Sequence, residues 1–222
     1  LGEHPLYDFD IKVECDGKHS NRTETTGIRT VEVVREDDEF GRSMKVRLNG
    51  VDIFCKGANY IPMDNFPSRL SAEDYDNFIA QAQKANMNML RIWGGGIYEN
   101  DEFFNSCDRR GILVWHDVMS ACEMPPSDPA FAESVACEVK DNVRRLRNHP
   151  SIALWCGNNE NEIAFYGWGW NRTIKGEQRE SYEKDFINLF RKVIPESINE
   201  VDDSRYYHPS SPVTGYNGIG YN

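Results

Sequence analysis

The stretch LWCGNNENE at 154–162 ends an apolar run with a glycine, three asparagines and two glutamates, and no basic residue. An acid at the tip of a buried strand loses hydration, so its charged form is disfavoured and its carboxyl is pushed toward neutral pH. Glu160, flanked by Asn158 and Asn159 and near Trp155 and Trp168, therefore reads as a general acid. Asn159 is placed to donate a hydrogen bond to a substrate hydroxyl, and Glu162 to hold the loop through a hydrogen bond or ion pair. Two earlier apolar runs end in the same manner. MNMLRIW at 87–93 closes on Arg91 and Trp93, and ILVWHDV at 112–118 carries His116 and Asp117. Alternation along a strand sends Met89, Arg91 and Trp93 to one face and Leu90 and Ile92 to the other. An inward arginine needs an acid, so Arg91 is expected to orient a carboxylate. Trp93, followed by three glycines, is expected to stack against a sugar ring. One of His116 and Asp117 must face the same interior, with Trp115 in the core. Together they supply at most two metal ligands, so neither a metal nor any other cofactor is expected.

These residues need a scaffold that brings successive strand ends together. The first fifty residues read as strands: YDFDIKV puts Tyr7, Phe9, Ile11 and Val13 on one face, GIRTVEVV and MKVRL follow, and Asn49-Gly50 signals a hairpin into VDIFCKGANY. Strand-plus-helix units come next. A helix at about 71–84 is capped by Ser71 with Asp74 three residues on; a second starts near Asn100-Asp101 and stops at Gly111. A third starts at Asp128-Pro129 and closes at His149-Pro150, and a fourth covers about 178–194 until Pro195 interrupts it. Alternating strands and helices imply a parallel sheet covered by helices. GGGIYEN at 94–100 lacks the spacing of a dinucleotide-binding turn, whereas reactive residues at several successive strand ends suit a barrel. The fold class is thus α/β: a partial (β/α)8 barrel of about four to five strands after sandwich-like strands.

Composition narrows the partners. The chain has 222 residues, 39% of them hydrophobic, and a net charge of −11 from 36 acids against 25 basic residues. That balance opposes nucleic acid and anionic lipid surfaces, and Arg144, Arg145 and Arg147 read as a solvated helix face. No apolar run is long enough for a membrane helix, and the start lacks the build of a signal peptide or an initiating Met, as in a piece cut from a longer chain. The six scattered cysteines read as small buried core residues, and the sequons at Asn21 and Asn171 matter only in a eukaryotic secretory route.

The run from GIRTVEV through LNGVDIFCKGANYIPMD, NMNMLRIWGGGIYEND, GILVWHDVMSACEMPP and NHPSIALWCGNNENE resembles the family 2 glycoside hydrolases, and within them the β-mannosidases. RIWGGG and WCGNNENE carry most of that likeness. The resemblance implies a retaining hydrolase of terminal, non-reducing β-linked mannose. It makes Glu160 the acid/base, Asn159 its sugar-bonded neighbour, and Trp93 and Trp168 walls of the first sugar subsite, with Arg91 and Asp117 among the substrate-binding residues. It implies that 1–46 ends an immunoglobulin-like domain and that 47–222 begins a catalytic barrel. The second carboxylate, on the family's seventh barrel strand, would lie beyond this chain, so the chain alone is expected to be inactive; Asp117 and Glu123 sit in motifs with other uses. Open barrel edges are expected to favour self-association. A bacterial parent would be periplasmic or secreted and a eukaryotic one lysosomal. A β-galactosidase or β-glucuronidase type, a non-catalytic carbohydrate-binding protein and a structural scaffold are the competing readings.

Overall fold

The computed structural model describes residues 3–126 and 128–213. In chain order the strands are β1 (Tyr7–Cys15), β2 (Lys18–Thr26), β3 (Val31–Val34), β4 (Asp37–Asp38), β5 (Gly41–Arg42), β6 (Lys45–Leu48), β7 (Val51–Ile53), β8 (Gly57–Tyr60), β9 (Met89–Ile92), β10 (Leu113–Asp117), β11 (Ile152–Cys156) and β12 (Tyr206–His208). The α-helices are α1 (Ala72–Lys84), α2 (Asp101–Arg110), α3 (Pro129–Leu146), α4 (Asn161–Tyr166), α5 (Trp170–Thr173), α6 (Glu177–Asn188) and α7 (Ile194–Val201).

The N-terminal strands are antiparallel. β1 and β2 form a two-stranded ribbon, and β3, β6 and β7 a separate sheet. Asn49 and Gly50 join β6 to β7 with φ of 49° and 77°, the left-handed pair that a tight hairpin turn requires. The sequence run VDIFCKGANY is not one strand. It leaves the antiparallel sheet at Ile53 and enters a parallel one at Gly57.

That second sheet has the order β12-β11-β10-β9-β8, every pair parallel. Each strand lies beside its predecessor with no reversal of order, as in a barrel wall and unlike a doubly wound sheet. Its two faces are chemically distinct. Leu90, Ile92, Val114 and Ile152 pack outward with Tyr75, Ile79, Phe103, Phe104, Val139 and Leu146 from the helices. Met89, Leu113 and Ala153 turn inward, where Val46 of the antiparallel sheet packs against them. The antiparallel sheet thus supports the inner face at the level where the strands begin. The ladder between β10 and β11 shifts register once, pairing Val114 with Ile152 but Trp115 with Leu154. This extra residue restores alternation above it, so Cys156 stands beside Asp117 and Trp155 beside His116.

The caps follow the chemistry of their residues. Ser71 and Asp74 bond reciprocally at the start of α1, Gly111 ends α2 at φ 65°, and the Asp128 side chain accepts the Phe131 N–H. Pro195 does not stop the fourth helix. α6 widens into a π-helical turn over Leu189–Val193, and the chain continues as α7 with Pro195 in its first turn. The wider turn accommodates the missing proline N–H, so the axis continues through it. Of the cysteines, only Cys107 and Cys156 are buried, whereas Cys15, Cys122 and Cys137 are exposed and all six are free thiols. Arg145 is not a solvated charge, because it donates to the Glu99 carbonyl and to Asp101. No helix among the described residues is long and apolar enough to cross a membrane.

His116 points outward into the helix layer, stacked near-parallel on Tyr98 and Phe104 at 5.2 and 5.9 Å, with Nδ1 2.7 Å from the Asp117 carbonyl. Burial holds its imidazole down to about 4. His208 turns inward against Trp115, and burial, assisted by Arg35 and Arg91, holds it down to about 4 as well. Both rings are neutral in the fold but bind a proton below about 6.5 once unfolded. Stability is therefore full above pH 6.5 and is lost as pH falls toward 4, by up to roughly 3 kcal/mol per histidine. Urea midpoints measured at pH 7 and pH 4.5 should differ accordingly, and equal midpoints would contradict the neutral, buried assignment.

Candidate active site

Three inward layers rise along the parallel strands. Above the apolar floor come Asn59, Arg91, Trp115 and Leu154 in register, and above them Asp117, Cys156 and His208. Alternation left open whether His116 or Asp117 faced the interior; it is Asp117.

Arg91 is the hub of the second layer. Its Nε and Nη2 donate to the two oxygens of Asp117 at 3.2 and 2.7 Å, a bidentate pair. Nη2 also donates to Asn159 Oδ1 at 2.9 Å, and Nη1 to Asn59 Oδ1 at 3.2 Å. Asp117 is fully buried and receives two further donors, the Gly94 N–H at 3.1 Å and Trp115 Nε1 at 2.9 Å. Burial pushes its carboxyl upward and the Arg91 guanidinium pulls it back. With four donors on two oxygens, the surroundings are built for the carboxylate form.

Beyond Cys156 the chain yields two residues before pairing resumes. Gly157 is required there by close approach, since a Cβ would lie 2.1 Å from the Tyr207 hydroxyl. Asn158 is scaffolding. Its Nδ2 donates to the Pro209 carbonyl, and its Oδ1 accepts from Ser210 Oγ and the Asn161 N–H. Asn159 then bridges Ala121 on one side and Ser211 on the other, extending the sheet by one rung. Because its Oδ1 is held by Arg91, its Nδ2 turns toward Glu160 Oε2 at 3.3 Å and Cys122 Sγ at 3.5 Å.

Glu160 follows in a left-handed conformation, φ 64° and ψ 0°, as the residue that opens α4. A non-glycine residue there is strained, and such strain persists only where neighbours over-determine it. Its N–H donates to the Ser211 carbonyl and its own carbonyl accepts from Ala164, which fix the backbone at both ends. The side chain is half-buried, and Oε2 also accepts from the Cys122 thiol at 3.1 Å. Glu162 is paired with Arg191 at 3.0 Å, well away from solvent.

Arg91, Asp117, Asn159 and Glu160 thus form one hydrogen-bonded string across three strand ends. The aromatic residues stand outside it. Trp93 continues the line of Arg91, and its N–H donates to the Tyr60 carbonyl. The glycine run is moulded on its indole: a Cβ on Gly95 would fall 2.0 Å from the ring. Trp168 is 51% exposed beyond α4 and packs edge-to-face on Trp170. Trp155 is not a neighbour of the acid, because it faces the helices and donates to Asp202. Sequence reasoning did not mark Cys122, although it lies five residues past Asp117 in a loop at the same sheet end. It also overlooked Glu99, which is buried and accepts from the Tyr60 and Tyr75 hydroxyls.

The arrangement offers a carboxyl with one oxygen engaged by protein donors, a fixed carboxamide beside it, and a buried ion pair that fixes the carboxamide. It lies at the C-terminal ends of parallel strands, where barrels place reactive groups. No family model matches the chain. The chain is 42% identical to a β-mannosidase of Capra hircus over 96% of its own length and 24% of that protein. It is 40% identical to β-mannosidase B of Neosartorya fischeri over 95% of its length and 25% of that protein. A solved β-D-mannosidase from Dictyoglomus thermophilum matches with a TM-score of 0.84 at 39% identity, across 96% of this chain and 26% of that one. The chain spans about a quarter of the length of the curated relatives it matches. Over the quarter of those proteins that it spans, the chain is similar in both sequence and fold to the β-mannosidases.

Proposed function

We propose that the chain supplies the proton-donor half of a retaining exo-β-mannosidase that removes terminal, non-reducing β-linked mannose. Glu160 is the acid/base, Asn159 bonds a sugar hydroxyl, Arg91, itself held by Asp117, fixes Asn159, both Arg91 and Asp117 border the substrate, and Trp93 and Trp168 wall the sugar. The observation that carries this reading is the string from Asp117 through Arg91 and Asn159 to Glu160 at adjoining strand ends. Retention requires a second carboxylate about 5–5.5 Å from the first as nucleophile. Asp117 is unsuited to that task, since four donors occupy its oxygens. In this reading the nucleophile comes from a later part of a longer polypeptide, residues 1–46 end an immunoglobulin-like domain, and 47–222 begin the catalytic barrel. The edges of β8 and β12, outermost in the sheet among the described residues, then favour self-association of the chain on its own.

The test compares the full-length protein with the isolated chain on aryl β-mannoside, β-galactoside and β-glucuronide. The full-length protein is expected to prefer the mannoside by at least about 100-fold in kcat/KM, a ratio within reach of hydroxyl recognition in a polar site. The isolated chain is expected to turn over none of the three. Equal or better turnover of the galactoside or glucuronide would overturn the substrate assignment, and turnover by the isolated chain would overturn the missing nucleophile.

A further inference from the structure

Both protein donors that reach the Glu160 carboxyl go to the same atom. Cys122 Sγ lies 3.1 Å and Asn159 Nδ2 3.3 Å from Oε2, while no hydrogen bond to Oε1 is made among the described residues. The contact is built from the backbone upward. Cys122 adopts φ 51° and Glu160 φ 64°, two left-handed non-glycine residues facing each other across one bridge. The Cys122 N–H donates to the Asn159 carbonyl at 3.0 Å, which ties the two strained turns together. Asn159 Nδ2 also reaches the sulfur at 3.5 Å, so the thiol accepts from the carboxamide and donates to the carboxylate. Burial and the adjacent Glu160 push the Cys122 thiol up, so its proton stays available.

We propose that Cys122 is a positioning residue for Glu160: with Asn159 it engages Oε2, and so assigns Oε1 as the oxygen that carries and delivers the proton. The assignment rests on Glu160 being the acid/base. In the first step the bond between the anomeric carbon and the glycosidic oxygen breaks as the nucleophilic carboxylate bonds to that carbon. The electron pair stays with the leaving oxygen, which takes the proton from Oε1. Negative charge then grows on the Glu160 carboxyl, and the donors already aimed at Oε2 stabilise it without reorganising. A thiol is a weak donor, so its share of this effect is modest.

The experiment uses the full-length enzyme with Cys122→Ala and Cys122→Ser, which carry the same backbone strain and differ in the donor. Charged groups on neighbouring elements, Arg91 and Asp117 behind Asn159, Glu123 beside Ser120, and Glu162 with Arg191, are untouched in both. Cys122→Ala is expected to lose roughly fivefold in kcat/KM on an alkyl β-mannoside and little on a 2,4-dinitrophenyl β-mannoside, whose departure needs no proton. A hydrogen bond to the charged form is lost in Cys122→Ala, so the basic limb of the kcat/KM–pH profile is expected to move up. Cys122→Ser restores a donor and is expected to recover most of both changes. An unchanged alkyl rate and pH limb in Cys122→Ala would overturn the assignment, as would equal losses on both substrates that serine fails to recover. Glu160→Gln measured alongside separates the two ideas. If it is crippled on the alkyl substrate while Cys122→Ala is not, the Cys122 assignment alone fails; if Glu160→Gln is itself silent, both fail.

Discussion

Glu160→Gln is expected to lower kcat/KM of the full-length enzyme on an alkyl β-mannoside by about 10²–10⁴-fold, the range a positioned general acid contributes. The substitution keeps size and most contacts, since a carboxamide oxygen still accepts from Cys122 Sγ and Asn159 Nδ2 at the position of Oε2. What it removes is the transferable proton. The loss should therefore follow the leaving group, large for alkyl alcohols and small for a dinitrophenolate in the step that forms the glycosyl-enzyme. Thermal melting should hardly move, because Glu160 is half-buried and its backbone bonds to Ser211 and Ala164 are retained. A loss that is uniform across leaving groups would mean that Glu160 shapes the site instead of donating to the glycosidic oxygen. A sugar-binding protein without catalysis would bind its ligand equally well with glutamine.

Asp117→Ala is expected to destabilise the protein by about 3–5 kcal/mol, the usual consequence of removing one member of a buried ion pair. The magnitude follows from what is left behind. Arg91 stays desolvated beside Asn59 and Asn159, and the Gly94 N–H and Trp115 Nε1 lose their acceptor in a fully buried position. Arg91→Met is expected to be comparably costly, because the Asp117 carboxylate would then be buried without its cation. The double variant Arg91→Met, Asp117→Leu should be less destabilised than either single change, since no unpaired charge remains. It should nevertheless be almost inactive, because nothing would then hold Asn159 Oδ1 and its Nδ2 would no longer face Glu160. Urea midpoints for the four proteins measure the first part and kcat the second. A double variant with normal kcat would show that Asn159 does not depend on Arg91.

The inward direction of Arg91 was legible because period-two alternation is a geometric property of strands, and MNMLRIW is regular enough to express it. The choice between His116 and Asp117 was not. Adjacent polar residues give no parity cue, and the deciding fact is that an imidazole fits flat between Tyr98 and Phe104 in the helix layer. Trp155 was misplaced for a related reason. A one-residue register shift in β11, invisible in an all-apolar run, turns the indole toward the helices. The helix capped by Ser71 and the stop at Gly111 were readable from local hydrogen-bonding chemistry, whereas the π-helical passage past Pro195 buries Leu189, Phe190 and Ile194 in the core shared with α3, a tertiary fact. Cys122 escaped notice because its contact with Glu160 follows from a backbone bridge between Ala121 and Asn159, 38 positions apart, and no spacing rule reports that. The Trp93 indole lies over Gly95 and the Trp168 indole packs on Trp170, each within its own segment.

The most direct measurement removes the carboxyl and offers a substitute for only one of its two duties. In the proposed mechanism Glu160 deprotonates water in the second step of retention, whereas azide needs no base to attack the glycosyl-enzyme. With Glu160→Ala and 2,4-dinitrophenyl β-mannoside, azide is expected to restore turnover by at least about tenfold and to yield β-mannosyl azide. No acceleration by azide, or a product of inverted configuration, would contradict Glu160 as the proton-transferring group.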